Sequence, residues 1–343
     1  VDNATVAPGG TLMYTVTIAN TGATTANGVQ FTDTISTNTT LVGGSVASSP
    51  IGADDTYTAT GNIPIAPSAG VLANDVDPDT GNNTGLTVTQ VQGVAGNVGN
   101  ATNTTAAGFG GINGSVTVQS NGSFTYEPPP GFTGSDTFTY RVADAGGKFN
   151  DATVTITVSN LVWFVDNTAG GSLNRGTFSH PFTNIANFNT ANTGAALRPA
   201  AGHHIVLRPS GGTYNEADGI NLLNNQTLTG AAVAFNSVFS ADANSSAAYT
   251  TFAASVGTAP TINTTAGDAV DLAIGNAVRG LNVGNTPGFF GFDGTAVGSL
   301  IIGTVNKTGT GGAINVSTSG AFGATVNFGT LESTSSPTNN INL

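Results

Sequence analysis

The chain has 343 residues, of which 38% are hydrophobic and 8% are charged, with 7 Lys and Arg against 19 Asp and Glu and a net charge of −12. This balance excludes typical nucleic-acid binding, which needs Lys and Arg against phosphates, and anionic membrane surfaces should repel the chain. No apolar run approaches the roughly 18 residues of a membrane-spanning helix, and the chain is too apolar and too weakly charged for a disordered protein.

Residue preferences predict an all-β protein. Only six residues are Glu, Lys or Met, whereas β-branched Thr, Val and Ile recur in alternation with polar residues. The length fits two or three domains. A chain without cysteine, poor in Lys and rich in Gly suits a bacterial surface protein, which avoids stray thiols where oxidation is uncontrolled.

Residues 1–50 contain three strand candidates. The runs LMYTVTI at 12–18 and VQFTDTI at 29–35 alternate apolar and polar residues, and a shorter run follows at 41–46. The segment APGGTLMYTVTIANTG at 7–22, followed by FTDTI at 31–35, resembles the conserved repeat of unknown function found in many bacterial surface proteins. That family consists of immunoglobulin-like sandwiches. Its opening and closing strands are missing here, so we expect a partial module at 1–50.

Residues 51–160 predict a complete second sandwich of about seven short strands. The dipeptide Asn121-Gly122 lies between two alternating runs and is a strong hairpin signal, because both positions tolerate positive φ. The six recognisable strand candidates are 55–60, 86–91, 112–118, 122–126, 136–142 and 152–158.

This second zone resembles the cadherin-like (VCBS-type) repeat of large bacterial adhesins. The resemblance rests on four segments: VLANDVD at 71–77, NGSFTY at 121–126, PGFTGSDTFTY at 130–140 and ATVTITV at 152–158. It implies an immunoglobulin-like fold over nearly the whole zone.

Residues 161–343 change to short apolar–polar–apolar runs separated by Gly, Asn and Thr. One series steps from Val270 to Phe290, Ile314 and Ile341, and a second consists of the runs 281–283, 300–302 and 326–328. A repeat of about 20–27 residues with two or three short strands is what the stacked rungs of a parallel β-helix need. The stacked asparagines predict side-chain amide ladders. These are Asn282, Asn315, Asn327 and Asn342.

The start of this zone, VWFVDN at 162–167 with PFTNI at 181–185, resembles the capping entry of pectin-lyase-like β-helices, and 221–230 resembles an early rung. The resemblance implies a right-handed parallel β-helix at 161–343 with an N-terminal cap. In that cap, Pro181 would lie near the first turn of a short helix and Trp163 would be the hydrophobic plug.

The loop NDVDPD at 74–79 is the most acidic stretch of the chain. Its carboxylates Asp75, Asp77 and Asp79 converge from one short loop, which suits calcium with its six to eight oxygen ligands. The resemblance to cadherin-like repeats brings further strand-end acids towards the same pole. These are Asp54, Asp55, Asp136 and Asp144. A solvated acidic turn explains the same residues, so calcium and an ion-free turn both stay open.

Catalysis in the third zone would need two carboxylates across a scissile bond, or calcium with a basic residue. The acids of this zone are Asp166, Glu216, Asp218, Asp242, Asp268, Asp271, Asp293 and Glu332. They are scattered singly, although Asp271 and Asn315 fall at equivalent rung positions. His203 and His204 point to opposite faces of a strand and cannot chelate one ion. We therefore expect no enzyme, with a carbohydrate-active lyase or hydrolase as the alternative.

The sequence as a whole predicts a secreted bacterial surface or extracellular protein with a structural or adhesive function. Two ends look unfinished: three strands at 1–50 leave open edges, and the chain stops within the rung series. Either the polypeptide continues, or neighbouring copies complete one another by strand donation in a head-to-tail filament. The expected partners are such copies, or cell-surface and carbohydrate ligands.

Overall fold

The computed structural model describes residues 9–10, 48–170, 173–208, 212–230, 233–237, 242–254, 257–317, 323–331 and 341–342. The chain divides into two compact units, Val1–Val46 and Ala47–Leu343. The three strand candidates between residues 12 and 46 lie outside the described residues, so the partial module expected there stays a prediction.

The first strands of the second unit form a sandwich of two sheets. One sheet has the order β2-β6-β7-β1, in which β1 runs parallel to β7 and the other pairs are antiparallel. The second sheet is the antiparallel set β3-β4-β5. The strands are β1 (Asp55–Gly61), β2 (Thr87–Val91), β3 (Thr102–Ala107), β4 (Asn113–Val118), β5 (Phe124–Glu127), β6 (Gly134–Ala143) and β7 (Phe149–Val165).

Sequence alternation predicts six of these strands and misses β3. The sequence of β3 is TNTTAA, and Thr104 is its one buried residue, so it lacks the apolar alternation that marks a strand. The predicted hairpin forms between β4 and β5. Gly122 has a φ of 84°, and a Cβ there would lie 2.7 Å from the Leu72 side chain, so both conformation and space require glycine.

The rest of the chain consists of short strands and two short helices. The strands are β8 (His204–Leu207), β9 (Thr213–Glu216), β10 (Ile220–Asn221), β11 (Thr227–Gly230), β12 (Thr261–Thr264), β13 (Val270–Asp271), β14 (Ala277–Arg279), β15 (Asn282–Val283), β16 (Phe290–Gly294), β17 (Ser299–Lys307), β18 (Gly312–Val316), β19 (Gly323–Leu331) and β20 (Ile341–Asn342). The helices are α1 (Ile185–Ala191) and α2 (Ala247–Ala254), with single 3-10 turns at Ala95–Asn97, Phe109–Gly111 and Phe235–Ser237. The described part of the chain is thus mainly β, as predicted.

The strands from β7 onward pair in parallel and make three ladders. Ladder A is β7-β8-β11-β14-β17-β19. Ladder B is β9-β12-β15 with the second half of β17. Ladder C is β10-β13-β16-β18-β20. The step is 24 residues between Asn282 and Asn306 and 22 between Asp293 and Asn315, within the range that the sequence predicts.

Each ladder contributes one row of buried apolar side chains to a shared core. Because strand side chains alternate, every rung places the same position inward and the rows continue from strand to strand. The rows are Ile205, Leu228, Val278 and Ile302 in ladder A, Tyr214, Ile262 and Val283 in ladder B, and Ile220, Val270, Phe292 and Ile314 in ladder C.

The predicted step from Val270 to Phe290 is wrong by two residues. Val270 pairs with Phe292, and Phe292 pairs with Ile314. Positions 290 and 292 are equivalent by alternation, so the sequence does not separate them. The structure distinguishes the two positions, because Phe292 is fully buried and Phe290 is partly exposed.

The second predicted series is also wrong as a single stack, because β17 serves two ladders. Ile301 pairs with Ala277 in ladder A, whereas Asn306 pairs with Asn282 in ladder B. Between the two halves Thr304 has a φ of 55°, in the left-handed region, and turns the strand from one ladder to the next.

Amide hydrogen bonds link neighbouring rungs, although in other pairs than the sequence suggests. Asn306 donates to Asn282 at 2.9 Å, and Asn263 donates to Asn215 at 2.8 Å. Asn315 donates to the carboxylate of Asp293. The side chains of residues 327 and 342 lie outside the described part of the chain.

The first rung is closed by aromatic residues and α1. Trp163 is fully buried, as predicted, and its ring stacks on those of Phe182 and His203. His203 Nδ1 accepts a hydrogen bond from Trp163 Nε1 at 3.1 Å. α1 starts after its N-cap residue, Asn184, which accepts from the backbone of Asn187. The helix therefore begins later than the expected turn at Pro181.

Candidate functional site

Two carboxylates meet at the start of β1 in the sandwich. Asp55 is the first residue of β1, and Asp75 lies in the loop that the sequence marks as acidic; their exposed fractions are 7% and 2%. The Ala53 amide donates to Asp75 Oδ1 at 2.8 Å, and the buried Tyr140 hydroxyl lies 2.9 Å from Asp75 Oδ2. These contacts hold the loop against β6 and the residues that precede β1. We call Asp54, Asp55 and Asp75 the acidic pole.

Burial and mutual repulsion make the acidic pole electrostatically strained. Burial, followed by repulsion from Asp75 and Asp54, raises the pKa of Asp55 to about 7, although a hydrogen bond from Tyr140 opposes the shift. Burial also raises the pKa of Asp75. Asp55 Oδ2 is buried and has no hydrogen-bond partner among the described residues. An unpaired carboxylate oxygen beside a second carboxylate is satisfied by a proton or by a cation.

The other acids predicted for this pole have their own partners. Asp54 Oδ1 accepts from the Thr153 amide at 2.8 Å. Asp77 Oδ1 accepts from the Asp79 amide at 2.9 Å, and Asp79 accepts from the Ser48 hydroxyl at 2.6 Å. Asp55 is thus coupled electrostatically to Asp75 and more weakly to Asp54, whereas Asp77 and Asp79 are tied into a turn of their own.

Two predicted ligands play other parts. Asp144 accepts from the Lys148 amide at 2.9 Å and closes the turn between β6 and β7. Asp136 is fully buried between the two sheets, where five donors surround its oxygens. These hydrogen bonds satisfy both oxygens of the Asp136 carboxylate, so the carboxylate needs no cation.

A second acidic group lies on ladder C. Asp268, Asp271 and Asp293 each offer a carboxylate oxygen, and these oxygens all lie within 4.8 Å of one another. Among the described residues, this is the group of three or more ligand-type side chains that could hold a metal ion. Asp271 stands opposite Asp293 in the ladder, and Asp293 accepts from Asn315 at 2.5 Å. We call Asp268, Asp271 and Asp293 the ladder cluster.

Like charges dominate the electrostatics of the ladder cluster. Burial, with repulsion from Asp218, Asp268 and Asp293, raises the pKa of Asp271 to about 7. Burial also raises the pKa of Asp268, although the Phe290 amide donates to its Oδ1 at 2.5 Å. Such a site holds a divalent cation, or it holds a proton near neutral pH as a general acid does.

Sequence reasoning did not find the ladder cluster, although one signal was available. The sequence predicts that Asp271 and Asn315 occupy equivalent rung positions, with Phe290 on the rung between them. With the register at Phe292, Asp293 falls between Asp271 and Asn315. The predicted register, which is wrong by two residues, therefore leaves Asp293 out of the group.

The remaining acids and histidines of the third zone make structural contacts. Asp166 lies 3.8 Å from Arg208, and Glu216 accepts from the Ile185 amide at 3.2 Å. His180 lies 3.4 Å from Glu127. Glu332 lies outside the described residues. Burial lowers the pKa of His203 and His204, which favours their neutral forms.

No helix within the described ranges is long and apolar enough to cross a membrane. No curated protein matches the chain.

One family model matches part of the chain. The model of the bacterial cadherin-like domain matches residues 47–160, which contain the acidic pole and the sandwich. This portion of the chain is therefore similar to bacterial cadherin-like domains in sequence, and it has the immunoglobulin-like sandwich expected of them.

Proposed function

We propose that the chain is part of a non-enzymatic, secreted bacterial surface or extracellular protein with a structural or adhesive function. In this proposal, the cadherin-like domain leads into a right-handed parallel β-helix at residues 161–343. The observation that supports it best is the set of three parallel ladders around one apolar core. Each repeat of a solenoid contacts its neighbours through such rows, which makes a stiff rod with a long lateral surface.

Calcium is the ion that we propose for the acidic pole, because cadherin-like domains generally bind it. The unpartnered Oδ2 of Asp55 fits a cation, and the neighbouring Asp75 would supply further hard oxygen ligands. A bound calcium ion would remove the repulsion between the buried carboxylates and fasten the loop at residues 71–79 to β1. The ladder cluster has ligands of the same chemical type and is the second candidate site.

Thermal melts of the whole chain test the calcium proposal. With a Kd of about 10⁻⁴–10⁻³ M, about 10 mM calcium should stabilise the fold by about 1.4–2.7 kcal/mol and raise the Tm by about 3–10 °C. Asp55→Asn should abolish this rise if the acidic pole binds the ion. Asp271→Asn should abolish it if the ladder cluster does.

Asp144→Asn is the matched control, because it removes one negative charge from an exposed turn. It should leave the calcium response unchanged. If the Tm of the unmodified chain is the same in calcium and in chelator, calcium binding is excluded at both sites.

The ladder cluster also supports the alternative function, a carbohydrate-active β-helix. Its carboxylates are close enough for acid–base work, and Asp271 titrates near neutral pH. Release of sugars from acidic and neutral polysaccharides is the test. Release by the unmodified chain and its loss in Asp271→Asn would establish the enzyme. Absence of release with calcium and with chelator would leave the structural function in place.

The partners that we propose are neighbouring copies of the chain, joined head-to-tail by strand donation, or cell-surface and carbohydrate ligands. Light scattering of the 343-residue chain across a concentration series tests self-assembly. A mass that grows with concentration supports the filament. A constant monomer mass would end the strand-donation proposal.

A further inference from the structure

The cadherin-like domain and the ladders share one strand. β7 runs from Phe149 to Val165 and bends at Asn160, which has a φ of 59° and where the pairing with β1 shifts register by one residue. Its first part pairs with β1 and β6 inside the sandwich, and its last part, from Val162, pairs with β8 as the first rung of ladder A. The family match ends at residue 160, inside this strand. Hydrogen-bonded backbone therefore crosses the boundary, in place of a linker.

Asn62 fastens the chain at this boundary. It follows β1 and is fully buried, with a φ of 68° that Asn tolerates better than most residues. Its side chain donates to the Val162 carbonyl at 3.0 Å and accepts from the Gly131 amide at 2.7 Å. Its own carbonyl accepts from the Phe178 amide at 2.8 Å. One residue thus bonds to the sandwich, to the first rung and to the segment that covers it.

The end of β1 and the segment that follows it, residues 62–66, are covered by a distant segment of the chain. The backbone of Ala66 donates to the Asn244 carbonyl at 2.9 Å, and Ser246 donates back to the Pro64 carbonyl at 2.8 Å. The Asp242 amide donates to the Thr60 hydroxyl at 3.0 Å. Residues 242–246 therefore lie along 58–66 as a bridging strand would, and they protect an edge that would otherwise be open.

An aromatic cluster packs across the same boundary. Ile63 of the sandwich is fully buried together with Phe164 of the first rung and Tyr249 of α2. The rings of Phe164 and Tyr249 meet edge to face at 6.4 Å. This cluster lies on the outer face of the first rungs and depends on side chains from both sides of the boundary.

Further contacts extend the junction. A Cβ at Gly131 would lie 2.2 Å from the Leu197 carbonyl oxygen, so the two backbones approach as closely as glycine allows. Beside it, the guanidinium of Arg198 lies 4.5 Å from the ring centre of Phe109. The sandwich and the ladders thus meet over a broad face of hydrogen bonds and apolar packing.

We propose that the cadherin-like domain is the fixed N-terminal cap of the ladders, and that the two unfold as one cooperative unit. The first rung of a solenoid exposes a strand edge and an apolar core. Here the strand of the first rung continues from the sandwich, α1 and the aromatic residues close the core, and the sandwich packs on the outer face through Ile63. The orientation of the sandwich is then set by the fold, and a ligand-induced change in its stability reaches the ladders. This inference holds whether or not the proposed surface function does.

Two probes of equilibrium unfolding of the whole chain test the proposal. Trp163, the single tryptophan, reports on the first rung by its fluorescence, and amide hydrogen exchange of β4 and β5 reports on the sandwich. Coincident transitions are expected, because a cooperative unit gives the same midpoint with every probe. Separate midpoints in the unmodified chain would overturn the proposal.

Asn62→Gly tests the junction itself, because glycine keeps the positive φ and removes the two side-chain hydrogen bonds. The loss should lower the midpoint of both probes together by about 4–8 °C. Asn225→Gly is the control, since Asn225 has a φ of 59° in an exposed turn within the ladders. A shift in one probe alone, or an equal effect of both substitutions, would contradict the proposal. If Asn62→Gly does not fold, Thr58→Val, which removes the hydrogen bond to Asp242, takes its place.

Discussion

Asp136→Ala should lower the free energy of unfolding of the sandwich and the ladders together by about 2–6 kcal/mol. Asp136 accepts hydrogen bonds from Tyr126 Oη at 2.9 Å and from the Ala106 amide at 2.7 Å, with further donors from Thr104, Thr105 and the Thr137 amide. Alanine would leave two of these donors, the hydroxyls of Thr104 and Tyr126, buried without an acceptor, at about 1–3 kcal/mol each. The other three donors are at least partly exposed and can bond to water. The loss is a large fraction of the stability of a domain, which is about 5–15 kcal/mol.

Urea denaturation of the whole chain measures this effect, with Asp144→Ala as the matched control. Asp144 lies in a partly exposed turn and accepts one bond from Lys148, so its loss should cost about 1 kcal/mol or less. The effect of Asp136→Ala should be the same in calcium and in chelator, because its oxygens already have protein donors. A cost that appears only with calcium present would show instead that Asp136 is a ligand, as the sequence predicts.

Lys307→Met should destabilise the ladders by about 2–4 kcal/mol. Lys307 is fully buried and stands opposite Val283, in the row that continues from Tyr214 and Ile262. Its Nζ donates to three carbonyls, those of Gly284 at 2.7 Å, Thr310 at 2.8 Å and Thr308 at 3.1 Å. Methionine fills the space but donates nothing, so these carbonyls lose a donor.

Lys148→Met is the natural control, because Lys148 is the other lysine of the chain and is exposed. It should change the free energy of unfolding by less than about 0.5 kcal/mol. Labelling with an amine-reactive reagent gives a second readout, in which Lys148 reacts quickly and Lys307 is protected in the folded state. Fast labelling of Lys307, or equal effects of the two substitutions, would contradict its buried position.

The buried lysine also predicts a pH dependence of stability. Burial lowers the pKa of Lys307 to about 8 from its ordinary value of 10.5. Between these two values the unfolded chain holds the proton more tightly than the folded chain, so the contribution of Lys307 to the free energy of unfolding rises as pH rises. Below pH 8 the contribution is constant. The stability difference between the unmodified chain and Lys307→Met should therefore grow by about 1–3 kcal/mol from pH 8 to 10.5, and a flat difference would contradict the shift.

Much of the fold could be predicted from local patterns in the sequence. Alternation and the Asn121-Gly122 turn predicted six of the seven sandwich strands, because a half-buried strand imposes a period of two on its own residues. The repeat of short apolar runs predicted stacked strands for the same reason. The alternation does not predict β3, because Thr104 is the one buried residue of this strand. The position of β3 in the sandwich depends on a hydrogen bond to Asp136, which belongs to another strand.

The local sequence patterns predict the environments of the acidic residues much less well than they predict the strands. The acidic loop marks Asp75, because turn residues close together along the chain are also close in space. Asp55, 20 residues earlier, is implied only by the resemblance to cadherin-like repeats, and the calcium role of both residues stays a prediction. Asp136 is assigned to the same pole, although this carboxylate faces inward and accepts hydrogen bonds from residues of two other strands, β3 and β5. Nothing in the residues next to Asp136 shows which way its side chain points or what surrounds it.

The sequence by itself determined the all-β class, the sandwich and the period of the repeat, because each of these depends on residues that are near one another along the chain. Only the tertiary structure decided the register, which places Asp293 between Asp271 and Asn315 and sets Lys307 opposite Val283. Register is a property of pairs of distant strands, and a slip of two residues leaves the alternation of each strand unchanged. The ladder cluster, the buried lysine and the junction at Asn62 all result from such distant pairings.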